Sequence, residues 1–508
     1  MRWNQAQSQS AGVKLNDILA NAKSVGVNQS DFVVRSACGR WDECETGDLF
    51  FAINEADVDG HDYIDEATSR GARGVVCERL LPVSIPQFVV KDSRAAYAQI
   101  CQALSGDPSQ RVNLIGVAGS VGKTVTSHLI HSILEIAGRK AGLSSSIEVR
   151  CGDTHRQLPD PINAPTVASQ LSKMCIANCS DAVVEMPSVP LAQRMYSGIC
   201  LDAAIVTNVQ PNNLEVHGNL GNCQRAIYRI MDYLKPTGFA VVNADDKYSR
   251  DVINGISSPM LTFGMHNPAE VTAKIIDRNR SYQTFVISAG GDSIVIRTNI
   301  IGKHHIYNCL AAATVALTIG IDLQVIAAGL QSARIPGRLQ RVDCGQEFGV
   351  WIDSSVSPNQ LNGAIAAIAP ICEGRIWCVC STAQNQTADE RRILGEILER
   401  KIDQSVISQL TSTKKIDYEP CHQILDGFEN PALARVMPDR CNAIEWVLSK
   451  ADPKDVVLIV GAGERTTGPF GHDKKKLTDR EICQTVLCNA GSKFDEQRPE
   501  SYRIDDYR

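Results

Sequence analysis

A chain of 508 residues is too long for one hydrophobic core, since single cores stop growing near roughly 250–300 residues, and about three domains are expected. Its 51 basic and 57 acidic residues leave a formal charge of −6, so no polybasic surface invites nucleic acid. No run approaches the ~18 consecutive apolar residues of a membrane span, and the start MRWNQAQSQSAG lacks the apolar core of a secretory signal. A cytoplasmic protein with neither a nucleic-acid nor a membrane partner is expected.

The 18 cysteines are irregularly spaced, without a CxxC pair; Cys378 and Cys380 come closest. In a long unexported chain they read as reduced thiols acting as small apolar fillers, not as a metal site.

In chain order, GDLFFAI (47–53) reads as a turn into a buried strand, and 60–77 as a helix followed by a strand. The polar stretch SGDPSQR (105–111) clusters Gly, Pro, Asp and Ser and marks a first linker. Beyond it an apolar strand, a glycine-rich turn and a helix ending near Gly138 follow one another. Short apolar runs at 182–186, 203–208 and 239–243 alternate with helical patterns, the rhythm of a parallel, doubly wound sheet. A stretch of more β character (260–298) precedes a helix at about 305–317. ARIPGRLQRV (333–342) marks a second boundary, and strands at 350–353, 376–380 and 456–461 continue the α/β rhythm. The polar tail after about Ala490 is expected to fray. Domains at 1–108, 109–336 and 337–490, with a tail at 491–508, are the resulting expectation.

The strongest chemical signal is Gly116-Val-Ala-Gly119-Ser120-Val-Gly122-Lys123-Thr124, set between a strand and a helix. A triphosphate needs backbone amides that approach closely, which glycine permits, and the positive end of the following helix faces the anion. Lys123 suits the β/γ oxygens and the Thr124 hydroxyl suits Mg²⁺, with Val125 next on the helix. The spacing is GxxGxxGK[ST] rather than GxxxxGK[ST], because Val117 stands where the stricter pattern has its first glycine. The plainer alternative is an ordinary strand-to-helix turn that happens to contain GKT.

Over nearly its whole length the chain resembles the Mur ligase family, in the type that adds the third residue of the peptidoglycan stem peptide. GDLFFAI with VDGHDYIDEATSRGA resembles that type's N-terminal UDP-sugar domain. The glycine loop, VEMPS, LDAAIVTN, LEVHG and LKPTGFAVVNADD then follow the central domain in order. IYNCLAAATVALTIGIDL, IPGRLQRVD and VWIDSSVSP follow the junction with the last domain. The resemblance implies an α/β protein of three domains: an N-terminal UDP-substrate domain, a central P-loop sheet and a C-terminal Rossmann-like domain. It implies ATP and Mg²⁺ as cofactors and a UDP-MurNAc-peptide as substrate, joined to an amino acid through an acyl phosphate. Residue by residue, it gives Glu185 to Mg²⁺ beside Thr124, Asn308 to adenine, Arg338 to the γ-phosphate side and Asp353 to the ribose. Ser188 and Gln193 fall at positions that touch the muramoyl peptide.

Other family positions are replaced. The carbamate-forming lysine, which helps hold a second Mg²⁺, matches Ile227, with Arg225 and Arg229 nearby as possible substitute charges. The Asp-His pair before LDYHG is Asn212-Asn213, while His217 is kept. The histidine after the paired serines is Val189, and the nearby arginine is shifted to Arg194. DYAHTP appears as Asp353-Ser-Ser-Val-Ser-Pro358, with Val356 in place of its histidine. The diaminopimelate-reading DNPR falls on Thr413-Lys-Lys-Ile416, GKGHE on Gly461-Ala-Gly-Glu-Arg465, and NTTP on Asn163-Ala-Pro-Thr166. Three functions are open on this reading: a divergent MurE-like ligase, a non-catalytic ATP-binding homologue acting as scaffold or regulator, and an amide ligase for an acidic co-substrate read by Lys414, Lys415 and Arg465.

Overall fold

The computed structural model describes residues 2–3, 12–55, 57–157, 162–211, 214–249, 258–279, 282–381, 386–410, 418–470 and 475–495. The chain divides into two units: Met1–Lys274 with Val286–Ile296 and Ile306–Ala333, and Ile275–Phe285 with Arg297–His305 and Arg334–Arg508.

The first unit holds two large sheets, besides the short antiparallel pair Val13–Lys14 and Val33–Val34. In the N-terminal one, Ala37–Cys38, Leu49–Phe51, Gly74–Cys77 and Gln87–Val89 run parallel. Neighbouring residues of a strand face opposite sides. Leu49 and Phe51 therefore enter a cluster with Phe88 and Ile100, while Phe50 enters another with Cys38, Val75 and Cys77. The helix Ser93–Leu104, capped by Asp92, brings Ala96 and Ile100 into the first cluster. Ala164 and Ala168 of the helix Ala164–Ile176 join that same cluster. Small side chains let these two helices share one core, which is why contacts do not separate the chain at residue 108.

In the second sheet, Ala141–Ser144, Asp181–Glu185, Asn113–Ala118, Leu201–Val206, Leu234–Asn243 and Met260–Gly264 are neighbours in that order, all parallel. The hairpin Glu148–Cys151 and Thr154–Gln157 adds antiparallel strands at one edge. Val271–Arg278, Gln283–Ala289 and Asp292–Thr298 continue the order at the other. The expected strands and helices are present, their ends shifted by a few residues. The loop helix, for instance, spans Lys123–Ile136, and Gly138 follows it at φ 73°. Its apolar positions Val125, Leu129, Ile130, Ile133 and Leu134 are buried, and the helix Leu323–Ser332 lies against it. There Gly329 approaches so closely that an added Cβ would sit 2.6 Å from Ile133 Cα, and Ser132 Oγ donates to the Gly329 carbonyl at 2.8 Å.

The second unit carries the C-terminal sheet, in the order Gln340–Val342, Gly349–Asp353, Val456–Val460, Ile376–Ser381, Gln404–Ser408, Ala434–Val436. All but the first are parallel to their neighbours. Alternation again divides the side chains: Trp351, Cys378, Cys380 and Leu458 fill one face, and Val350, Ile352, Val379 and Ile459 the other. A buried Arg440–Asp479 pair, with Nε–Oδ1 at 2.8 Å and Nη2–Oδ2 at 2.6 Å, ties these strands to the last helix. Arg440 also donates to Ser381, Ser408 and the Val460 carbonyl, so every strand end it touches is bonded. The last helix runs from Asp479 to Asp495, past the expected fraying point at Ala490, and Ile482, Cys483 and Leu487 bury one face of its first half.

None of the eighteen cysteines is in a disulfide, and most are buried. Cys378 and Cys380, two apart on one strand, share an apolar cluster as filler residues do. Among the described residues, the buried Cys38, Cys44 and Asp48 bring three ligand-type atoms within 4.8 Å of one another. Asp48 there accepts from the Glu45 amide at 2.9 Å and so closes a turn.

Gly329→Val should force the two helices apart and lower stability by about 1–3 kcal/mol. Urea denaturation of the variant against the parent checks this, and an unchanged midpoint would contradict the packing.

Candidate functional site

The site begins with strand register. Asp181–Glu185 pairs in parallel with the loop strand, Glu185 beside Val117, so the end of one strand stands next to the turn that leaves the other. Open α/β sheets place ligands at such strand ends. The helix then starts at Lys123, and its first turn meets Glu185. The buried Thr124 hydroxyl lies 3.1 and 3.0 Å from the two Glu185 carboxylate oxygens. Ser146, just past the strand Ala141–Ser144, completes the group: its amide donates to Glu185 Oε2 at 2.9 Å and its hydroxyl is 3.0 Å from Thr124 Oγ1.

The loop is held by the segment after Leu201–Val206. Ser120 N and Val121 N donate to the Asn208 carbonyl and Oδ1 at 3.0 and 3.1 Å. Asn208 Nδ2 and Thr207 Oγ1 return bonds to the Val121 carbonyl at 2.9 and 2.7 Å. Ser120 Oγ bonds both the carbonyl and the amide of Gln210, each at 2.8 Å. Gly119 and Gly122 have φ of 137° and 87°, which side chains of L-residues resist, and an added Cβ would collide with Thr207 Oγ1 and Asn308 Oδ1 respectively. Lys123 Nζ folds over the loop onto the Gly119 and Ser120 carbonyls at 2.9 and 3.0 Å. Gly116 belongs to the strand itself, buried beside Leu201 and Met186, and Val125 packs into the core under the helix. These two expected loop residues thus shape the base of the site instead of lining it.

Asn308, on the helix Lys303–Thr318, is brought against Gly122 and is buried. Arg338 and Asp353 lie in the second unit. There the Asp353 carboxylate accepts from Leu339 N at 2.8 Å and Ser355 N at 2.8 Å, which fixes the Arg338-Leu339 turn to the end of the strand Gly349–Asp353. Ser188 opens the short helix Ser188–Ala192; it is buried and lies 2.9 Å from His217 Nε2. Burial pushes the His217 imidazole below its usual range, against the raising effect of Glu215. Gln193 follows that helix as its C-cap. Asn163 caps the helix Ala164–Ile176 by accepting from Thr166 N at 2.9 Å.

Ile227 and the arginines near it have structural roles. Ile227 is 0% exposed, inside the apolar cluster with Met186, Leu191, Tyr196 and Ile230. Arg229 donates to the Leu191 and Ala192 carbonyls at 3.2 and 2.6 Å, where it caps the end of the Ser188–Ala192 helix. Arg225 donates to Asn222, and Arg194 pairs with Asp92 at 3.2 Å. The idea that Arg225 or Arg229 replaces metal charge therefore meets arginines engaged with protein groups. Asn212-Asn213 and the 413–416 segment with Lys414 and Lys415 lie outside the described residues.

Sequence reading missed Ser146, Thr207, Asn208 and Gln210. A Thr-Asn after a buried strand was the available signal for the loop's support. Ser146 carried none, because a serine run looks like any polar turn. It also missed Glu148, a buried carboxylate that His128 Nε2, Arg150 Nε and His155 Nε2 approach at 3.1, 2.7 and 2.6 Å. Burial raises the Glu148 pKa, but the bonds from His128 and Arg150 outweigh it and hold the carboxyl at about 2.

Fold and loop together define an α/β protein with a glycine-rich turn at a parallel strand end. The chain belongs to the Mur ligase family: residues 117–316 match the Mur ligase middle domain and residues 337–463 the Mur ligase, glutamate ligase domain. It is 30% identical over 460 residues to the UDP-N-acetylmuramoyl-L-alanyl-D-glutamate--2,6-diaminopimelate ligase of Geobacillus kaustophilus (strain HTA426), covering 88% of this chain and 93% of that protein. A solved structure of a ligase of the same name is similar in fold, with TM-score 0.67 and 19% identity over 94% of this chain and 99% of that one. So is MurF ligase from Thermotoga maritima in complex with ADP, with TM-score 0.57 and 18% identity over 91% of this chain and 98% of that one. Among the described residues, no helix is long and apolar enough to cross a membrane.

Ile227→Lys would bury an unpaired ammonium in an apolar cluster and should destabilise the fold by about 3 kcal/mol or more, read by chemical denaturation. A variant as stable as the parent would show that the position opens to polar surroundings. Because the Glu148 pKa is depressed from an unfolded value near ~4.3, its contribution is present above that pH and lost as pH falls toward 2. The stability gap between the parent and Glu148→Gln should therefore be present near pH 5 and shrink as the pH falls toward 2. A gap that widens on acidification would contradict the assignment.

Proposed function

We propose that the chain binds Mg-ATP at the 119–124 loop and acts as a MurE-like ligase of peptidoglycan precursor synthesis. The observation that carries this reading is the Thr124 hydroxyl set 3.0 and 3.1 Å from the Glu185 carboxylate oxygens at the start of the loop helix. A hydroxyl and a carboxylate are hard oxygen donors and suit Mg²⁺, so the residues fit the ion the family implies. When bound, Mg²⁺ supplies charge neutralisation between phosphate and carboxylate.

The chain's own groups account for the rest. The loop amides and Lys123 hold the β- and γ-phosphates, and Asn308 reads the adenine next to Gly122. The family resemblance assigns the ribose to Asp353 and the γ-phosphate side to Arg338. Ser188 and Gln193 orient a UDP-MurNAc-peptide. Its terminal carboxylate attacks the γ-phosphorus to form an acyl phosphate and release ADP. An incoming amino acid's amine then attacks the acyl carbon, phosphate leaves, and the amine proton passes to solvent. Holding both anions in line supplies much of the rate. The working division is into three domains, 1–108, 109–336 and 337–490, acting in the cytoplasm.

One observation favours a second reading. Ile227 is sealed in the core at 0% exposure, so the position that would carry the second metal's ligand offers none. Losing one electrostatic stabiliser costs on the order of 100- to 1,000-fold in rate. On this reading the protein is a non-catalytic nucleotide-binding homologue, a scaffold or regulator.

Calorimetric titration should show Mg-ATP binding that Lys123→Ala weakens about tenfold or more, a change worth about 1.4 kcal/mol or more. Phosphate release with UDP-muramoyl-dipeptide and an amino-acid panel separates the readings. Turnover lost in Lys123→Ala supports the ligase, and silence across the panel with ATP binding intact supports the scaffold. No heat with millimolar ATP would remove both.

A further inference from the structure

His128 lies one helical turn after Thr124. Its Nδ1 is 2.7 Å from the Thr124 carbonyl oxygen, and its Nε2 is 3.1 Å from Glu148 Oε1. Both partner atoms are acceptors, so each ring nitrogen that carries a proton donates to the atom it faces. Glu148 ends a tight turn: Ser145 N donates to its carbonyl at 3.0 Å, and its own amide donates to Ser145 Oγ at 3.1 Å. The same turn carries Ser146, which bonds Glu185 Oε2 and Thr124 Oγ1. The 145–148 turn therefore grips Thr124 twice, through Ser146 at the hydroxyl and through Glu148 and His128 at the carbonyl. Arg150 and His155 bond Glu148 as well, but no bond to Thr124 is seen for either.

We infer that His128 and Glu148 are a positioning pair for the Thr124–Glu185 metal site, resting on the reading of those two residues as Mg²⁺ ligands. Neither touches nucleotide or metal in this assignment. They fix the first turn of the loop helix against the 145–148 turn, and so hold the hydroxyl and the carboxylate about 3 Å apart before a cation arrives. A ligand pair held in place spares the ion the cost of ordering it, and groups that orient metal ligands typically contribute about 10- to 100-fold in metal affinity.

The test measures Mn²⁺ affinity of the full chain at saturating ATP, by electron paramagnetic resonance, with thermal unfolding of each variant recorded alongside. His128→Ala and Glu148→Gln should each weaken Mn²⁺ about tenfold, and the double variant should be no worse than the weaker single one, because both cut one linkage. Arg150→Gln, which loosens Glu148 without touching Thr124's links, should leave Mn²⁺ affinity within about twofold of the parent's while lowering stability. If His128→Ala fails to fold, Glu148→Gln against Arg150→Gln carries the comparison. Equal Mn²⁺ affinity in parent, Glu148→Gln and Arg150→Gln overturns the positioning role. A parent that binds ATP but no Mn²⁺ overturns the metal reading beneath it.

Discussion

Everything at the candidate site depends on the parallel pairing of Asn113–Ala118 with Asp181–Glu185. Residues 61 apart in sequence meet because the register sets Glu185 beside Val117, one residue from the end of the loop strand. A slip of one residue would turn Glu185 to the other face of the sheet and leave Thr124 facing nothing that can hold a cation. The glycines serve the same geometry: the turn has to pass under Thr207 and Asn308 without side chains.

The stretch around Ile227 is packed as a core and not as a polar pocket. Ile227, where the resemblance expects a carbamate lysine, fills a cluster with Met186, Leu191 and Ile230. Arg229, on the same stretch, satisfies carbonyls at the end of the helix that Ser188 opens. Together these residues make a packed support for that helix. Apolar burial here works in favour of folding, where a desolvated ionic group would work against it.

The cores follow the same division of labour. Alternating strands send cysteines, valines and isoleucines to two faces of the C-terminal sheet, and the Arg440–Asp479 pair joins three strand ends to the last helix. That pair is fully bonded, so its charges remain tolerable in the interior.

Much of this was legible in the residues themselves. The glycine loop, its strand and helix, the alternation around Phe50 and the α/β rhythm follow from local rules: closeness of backbone to phosphate, and the periods of strand and helix. Glu185 was found through its resemblance to a family position, and its meeting with Thr124 then followed. Tertiary structure alone decided that Ile227 points into a core, that Ser146 and Glu148 reach back to Thr124 from either side of a turn, and that the 93–104 and 164–176 helices share one cluster. Those outcomes depend on which distant strands become neighbours and in what register, and no local preference of a serine, a glutamate or an alanine carries that information.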